Sequence, residues 1–206
     1  MIAIVDYGVG NLFSIASGCR AVGAETVLTA DPGTIAGADG VILPGVGAFG
    51  DAMEKLRATG LDRTLQEFAT TGKTLLGICL GMQLLFEEGL EFGIHKGLGL
   101  LPGTIRPFAG KLPPELKIPQ MGWNPLHILR PHPLLINFRD GDCVYYVHSY
   151  YADCPENLCF GISEYGIPLP GLVGKGNICG CQFHPEKSGS AGLRILRAFA
   201  EMEGVC

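Results

Sequence analysis

Cys79 stands midway between two glycines in Gly77-Ile78-Cys79-Leu80-Gly81, directly after the apolar pair Leu75-Leu76. A nucleophile elbow needs this spacing. A strand turns sharply into a helix, the nucleophile takes a strained backbone conformation at the corner, and residues without a Cβ let strand and helix crowd around it. The start of a helix also supplies positive potential to an anion at that corner. A core cysteine following a strand is the plain alternative, and the paired glycines weigh against it. A cysteine nucleophile needs a base for its proton, and the base needs an orienting partner. Of the five histidines (95, 127, 132, 148 and 184) only His184 closes an apolar strand with a carboxylate two residues on, in His184-Pro185-Glu186. Pro185 stiffens the backbone between them, so Glu186 can accept from one ring nitrogen and leave the other for Cys79. Cys-His-Glu suits acyl transfer: the thiolate attacks a carbonyl, a thioester forms, and water releases the acid.

The elements that must hold these groups alternate between strand and helix. A buried strand at 2–6 is followed by a helix that Asn11 caps, reaching about residue 22. Gly8-Val9-Gly10 between them is a tight turn; Phe13 occupies the position where a dinucleotide fingerprint needs its third glycine. Strands at 25–28 and 40–43 flank a turn at Asp31-Pro32-Gly33, and helices at 51–58 and 61–71 lead to a strand at 74–78. The helix after Cys79 carries Met82, Leu84, Leu85 and Phe86 and fades near Gly89. Gln83, one helical turn beyond the thiol, can line the same pocket or face solvent.

The strand at 40–43 ends in Pro44-Gly45-Val46-Gly47-Ala48-Phe49-Gly50, a glycine-rich loop at a strand's carboxyl end, where open parallel sheets bind ligands. It is a candidate oxyanion hole, although an ordinary flexible βα loop fits the same residues. From 90 to 170 glycine and proline are frequent and apolar runs are short, at 99–102, 105–108, 144–147 and 159–162. These read as strands and hairpins inserted into the α/β frame, without a polar linker to mark a second domain. The segment holds the single tryptophan, Trp123, and the densest aromatic stretch, 145–151; both read as core before they read as partner anchors. A strand at 177–183 and a helix at about 188–202 close the chain. The expected fold is α/β: one domain over 1–206, with a mainly parallel central sheet flanked by helices and a β-rich insertion.

The composition narrows the function classes. With 47% hydrophobic and 17% charged residues the chain is not disordered, and at net −5, with no dense Lys/Arg run, nucleic acid is not an expected partner. No apolar segment approaches the ~20 residues that span a bilayer, and the first residues read as a strand and not a signal peptide, so a cytoplasmic protein is expected. Eight cysteines without a Cys-x-x-Cys then read as free thiols. Cys179-x-Cys181 with His184 lacks an evident fourth ligand, so neither a metal nor a cofactor is expected.

Gly77-Ile78-Cys79-Leu80-Gly81-Met82-Gln83 and His184-Pro185-Glu186, 105 positions apart, resemble the motifs of the class I glutamine amidotransferases. Further stretches, Pro44 to Phe49, Pro119-Gln120-Met121-Gly122-Trp123-Asn124, His148-Ser149-Tyr150 and Lys187-Ser188, are similar to the branch of that family that serves histidine biosynthesis. The resemblance spans essentially the whole chain. It implies hydrolysis of L-glutamine and delivery of ammonia to a (β/α)8-barrel cyclase acting on a phosphorylated ribulosyl substrate, the two forming a heterodimer. It also implies roles: Cys79 as nucleophile, His184 as general base and acid, and Glu186 as its orienter. Gly47 and Leu80 would donate to the oxyanion, and Gln83, Ser149 and Tyr150 would hold the glutamine. Met121, Trp123, Asn124, Tyr145 and Lys187 would face the cyclase, which reverses the core reading of Trp123. Other readings are a sister amidotransferase with another acceptor, a flavodoxin-like module with a redox-sensing cysteine, and a peptidase with similar triad chemistry.

Overall fold

The computed structural model describes residues 1–202; Cys206 lies outside the described residues. The amino-terminal part runs β1 (Ile2–Val5), α1 (Leu12–Ala21), β2 (Thr26–Thr29), α2 (Pro32–Gly37), β3 (Gly40–Leu43), α3 (Phe49–Thr59), α4 (Leu61–Ala69), β4 (Leu75–Ile78) and α5 (Leu80–Leu84). The middle is almost all strand: β5 (Phe86–Gly89), β6 (His95–Lys96), β7 (Leu101–Pro107), β8 (Gln120–Pro125), β9 (His127–Ile128), β10 (Cys143–His148), β11 (Tyr150–Asp153) and β12 (Cys159–Glu164). β13 (Pro168–Lys175), β14 (Ile178–Cys181) and α6 (Gly189–Met202) complete it.

Eight strands form the main sheet in the order β2-β1-β3-β4-β14-β13-β12-β9. The first five are mutually parallel, and β13, β12 and β9 extend the sheet antiparallel. Four of the parallel strands, β1, β3, β4 and β14, are buried at every residue, as strands covered on both faces must be. Their period-2 alternation builds two cores from the same strands. Ala3, Val5, Val41, Leu43 and Leu75 pack with Ile35, Phe49, Met53, Leu56 and Phe68 of α2 to α4. Ile2, Ile4, Ile42, Leu76 and Ile78 pack with Ile15, Cys19, Ile195, Leu196 and Phe199 of α1 and α6. The predicted α/β frame is therefore present, with helices on both faces.

The inserted strands form a four-stranded sheet, β11-β7-β5-β6, and a two-stranded ribbon, β10-β8. Three local expectations change. The helix after Cys79 stops at Leu84, and Phe86–Gly89 is strand β5. Its carbonyls are taken from outside: Leu98 N donates to Leu84 O and Leu100 N to Leu85 O, both at 2.8 Å, so the helix cannot continue. Asp31-Pro32-Gly33 opens α2 and is not a plain turn; Asp31 caps it by accepting from Thr34 N at 2.7 Å, with Pro32 at the first helical position. The runs at 99–102 and 105–108 merge into β7. β13 has no counterpart in the sequence reading because Pro168 and Pro170 obscure it. Both lie where β13 pairs with β12 alone, since the β14 ladder begins at Leu172, so their missing N–H groups break no bond.

Candidate active site

The adjacent strands β3, β4 and β14 deliver three loops to one sheet edge: Pro44 onward, Cys79, and His184. Cys79 caps α5 at φ 55° and ψ −112°, a conformation rarely open to an L side chain, and Cys79 N donates to Cys181 O at 2.8 Å. Glycine is required on both sides. A Cβ on Gly81 would lie 1.9 Å from Leu43 O, and one on Gly77 would lie 2.6 Å from Met82 Cα. The elbow is thus wedged against β3 below and α5 above.

His184 is held from both sides of its backbone. His184 N donates to Tyr145 O at 2.9 Å, and Ser188 Oγ donates to His184 O at 2.6 Å while accepting from Tyr145 N at 2.9 Å. The side chains of His184 and Glu186 are 4% and 0% exposed, and Nδ1 to Oε1 is 2.8 Å. A carboxylate only accepts, so Nδ1 carries a proton for Glu186 and Nε2 is the nitrogen left to exchange one with Cys79. Nε2 is buried without a formed hydrogen bond. Burial pulls the imidazole down, but hydrogen bonding and charge from Cys79 and Glu186 together outweigh it and carry the pKa up to about 9. The thiol is near enough to act on the ring while the bond itself is not drawn tight, as in many unliganded sites. Cys79 Sγ sits 3.9 Å from Val147 O, and Gln182 Nε2 donates to it at 3.8 Å.

Cys79 and His184 open onto one cavity of about 370 Å³, shared with Gly47, Leu80, Gln83, Ser149 and Tyr150. Every residue singled out for oxyanion or substrate binding therefore meets the thiol in one space. Gly47 has φ +95° and room around it, and Leu80 is the first residue of α5, so its N–H has no acceptor within the helix. Gln83 is buried, with Nε2 donating to Tyr150 O at 3.1 Å and to Gln182 Oε1 at 2.9 Å. Behind the glycine loop, the Tyr7 hydroxyl donates to Pro44 O at 2.8 Å; burial, then Cys79, pushes that phenol far up, so it stays a donor.

The residues expected to face a partner are not in the cavity. Met121 and Trp123 on β8 are 65% and 55% exposed, and Lys187 is exposed in the turn after His184. Tyr145 is half-buried with its ring edge-on to Trp123 at 5.9 Å, and Asn124 Nδ2 donates to Glu164 O at 3.0 Å. Trp123 is thus surface, against the core reading, whereas Tyr146 is fully buried. Cys179 and Cys181 donate to Leu75 O and Gly77 O from inside the sheet, and among the described residues no group of three or more His, Cys, Asp or Glu is placed to hold a metal.

Sequence reasoning missed three residues around the site. Gln182 precedes His184 by two and links Gln83 to the thiol. Glu91 supplies a carboxylate to the cavity while Oε2 accepts from Phe49 N at 2.7 Å. His148 donates from Nδ1 to Tyr150 O at 2.8 Å and is held neutral, its pKa lowered to about 4 by burial and by His184. A polar residue at the end of an otherwise apolar strand was the available signal for Gln182; the others depend on the tertiary fold.

The chain matches the family model described as "Glutamine amidotransferase class-I" over residues 3–202. It is 55% identical over 199 residues to "Imidazole glycerol phosphate synthase subunit HisH" of Bacillus cereus, covering 97% of this chain and 93% of that one. The protein of the same name from Listeria monocytogenes is 51% identical over 208 residues, covering 100% and 98%. A solved glutamine amidotransferase structure superposes with TM-score 0.77 at 19% identity over 100% of both chains. PurLQS from Thermotoga maritima gives 0.74 at 18%, over 98% and 97%. At such identities the structures speak to the fold alone, whereas the family model and the curated relatives settle the assignment: the chain belongs to the class I glutamine amidotransferases.

Proposed function

We propose that this chain is the glutaminase subunit of an imidazole glycerol phosphate synthase, hydrolysing L-glutamine to glutamate and ammonia for histidine biosynthesis. The observation that carries the mechanism is the buried His184–Glu186 pair, 2.8 Å apart, with Nε2 unpartnered beside the elbow thiol. With the proton shared between Cys79 and His184 held on His184, the thiolate attacks the side-chain amide carbon of glutamine. The N–H groups of Gly47 and Leu80 receive the tetrahedral oxyanion. His184 then gives its proton to the leaving nitrogen, ammonia departs, and a glutamyl thioester remains. Water, deprotonated by His184, hydrolyses that thioester and restores the thiol.

Substrate recognition follows from the cavity wall. Because Gln83 Nε2 is already committed to Tyr150 O and Gln182 Oε1, its own Oε1 is left to accept from the substrate ammonium. Glu91 adds negative charge to the same cavity, and Ser149 and Tyr150, which also line it, take the carboxylate.

Ammonia needs a protected exit, since ammonium has no lone pair to attack with. We assign the exposed face of Met121, Trp123, Asn124, Tyr145 and Lys187 to a (β/α)8-barrel cyclase subunit bound as a heterodimer in the cytoplasm, receiving ammonia through the sealed joint. Among the described residues no helix is long and apolar enough to cross a membrane. The test is glutamate release by the wild type, Cys79→Ala and His184→Ala, each with and without the liganded cyclase. Activity should be near-silent alone, strong in the complex, and lost in both variants. Equal turnover with and without the cyclase refutes the coupling, and an active His184→Ala refutes the mechanism.

A further inference from the structure

Cys154 and Cys159 bring their sulfurs to 3.8 Å across the short turn between β11 and β12, a region that glutamine hydrolysis does not use. The turn is clamped. Arg130 Nη2 donates to Glu156 O and, at 2.6 Å, to Cys159 O; its Nε donates to Cys159 O at 3.2 Å. The same guanidinium lies 5.2 Å from the centroid of the Phe160 ring. Leu158 N closes the turn onto Pro155 O at 3.0 Å. On the other side β7 packs backbone-close against Cys154, because a Cβ on Gly103 would sit 3.0 Å from Cys154 Cβ. Both thiols line one cavity of about 710 Å³, so a small oxidant can reach them.

The two sulfurs are chemically unequal. The hydrogen bond from Cys154, aided by the Arg130 charge, lowers Cys159 against the effect of its burial, while that bond, burial and the Asp153 carboxylate raise Cys154. One sulfur is prepared as a nucleophile and the other as a resolving thiol.

We propose that Cys154 and Cys159 form a reversible dithiol–disulfide site whose oxidant is a hydroperoxide. The Cys159 thiolate attacks one peroxide oxygen; the O–O bond breaks, hydroxide leaves and takes up a proton to become water, and Cys159 becomes a sulfenic acid. The Cys154 sulfur then attacks that sulfur, forming the S–S bond, breaking S–O and releasing a second water. Two thiols lose two protons and two electrons, and one hydrogen peroxide becomes two waters. A disulfide bond is about 2.0 Å long, so closure needs less than about 2 Å of sulfur movement. An external dithiol reverses the bond by exchange. Neither thiol enters the glutaminase chemistry, so failure here leaves that reading intact.

The full chain is treated with a few equivalents of hydrogen peroxide, alkylated and mapped by mass spectrometry, with exposed Cys143 as the single-thiol control. The expected product is a Cys154–Cys159 bridged peptide that dithiothreitol removes, formed at least about tenfold faster than Cys143 oxidises. Cys154→Ser should leave Cys159 as a sulfenic acid that dimedone traps. The proposal is overturned if no bridge forms, whether the thiols stay intact or go separately to sulfinic acid. It is equally overturned if Cys143 reacts as fast as the pair.

Discussion

Replacing Cys79 by glycine should give a more stable protein than replacing it by alanine, the reverse of the usual order. In an ordinary element glycine is less stable than alanine by about 0.5–1 kcal/mol, because the unfolded chain gains freedom. At Cys79 the backbone stands at φ 55° and ψ −112°, and any Cβ is strained there by about 1–3 kcal/mol. The elbow cannot relax, since Gly81 packs against Leu43 O and Gly77 against Met82. Subtracting the entropic cost from the strain leaves the glycine variant ahead by about 1 kcal/mol. For a chain of this length that is about 2–4 °C in Tm. Both variants lack the thiol, so differences in thiol chemistry cancel, and thermal unfolding of each in one buffer without the cyclase measures the strain directly. A glycine variant that melts below the alanine variant would show that the corner stores no strain.

Three further outcomes follow from the site. His148 has a folded pKa of about 4 against 6.5 in the open chain, so the unfolded state takes up the proton first as pH falls. The His148 contribution should be full above pH 6.5 and fall by about 3 kcal/mol on the way to pH 4, read from urea midpoints, and His148→Phe should flatten that slope. Glu186→Gln should cut glutaminase turnover in the complex by about 100-fold or more and bring the His184 pKa down from about 9, followed by ring NMR titration. The raised value in the wild type stabilises the fold fully below pH 6.5 and is lost as pH climbs through about 9, so the variant should be less pH-sensitive across that window. Trp123→Ala should change stability by no more than about 0.5 kcal/mol, since the ring is 55% exposed, yet weaken cyclase binding at least about tenfold by calorimetry.

Much of this is legible in the amino-acid sequence. The parallel strands announce themselves as unbroken apolar runs, and the glycines about Cys79 announce a corner that only missing Cβ atoms allow. What stayed hidden was decided by distant partners. Phe86 to Gly89 read as the fading end of the helix after Cys79, but carbonyls at Leu84 and Leu85 are claimed by amides at Leu98 and Leu100, and no local signal carries that. Pro168 and Pro170 disguised a strand because a proline's cost depends on which side its neighbour lies. Trp123 read as core from its chemistry alone, and its exposure on β8 is set by how the two-stranded ribbon lies on the rest of the fold.

The order of the main sheet has a consequence for how the protein is made. β14 sits between β4 and β13, so the sheet's centre is filled by residues 178–181, and α6, the last helix, covers the face it shares with β1. A chain emerging from the ribosome therefore holds a gap beside β4 until residues 178–181 have been synthesised. His184 follows that strand by three residues, so His184 and Cys79 meet only when the final central strand docks. Folding must wait on contacts of very long sequence separation, which slows it, and no nascent fragment can carry a half-built glutaminase into activity.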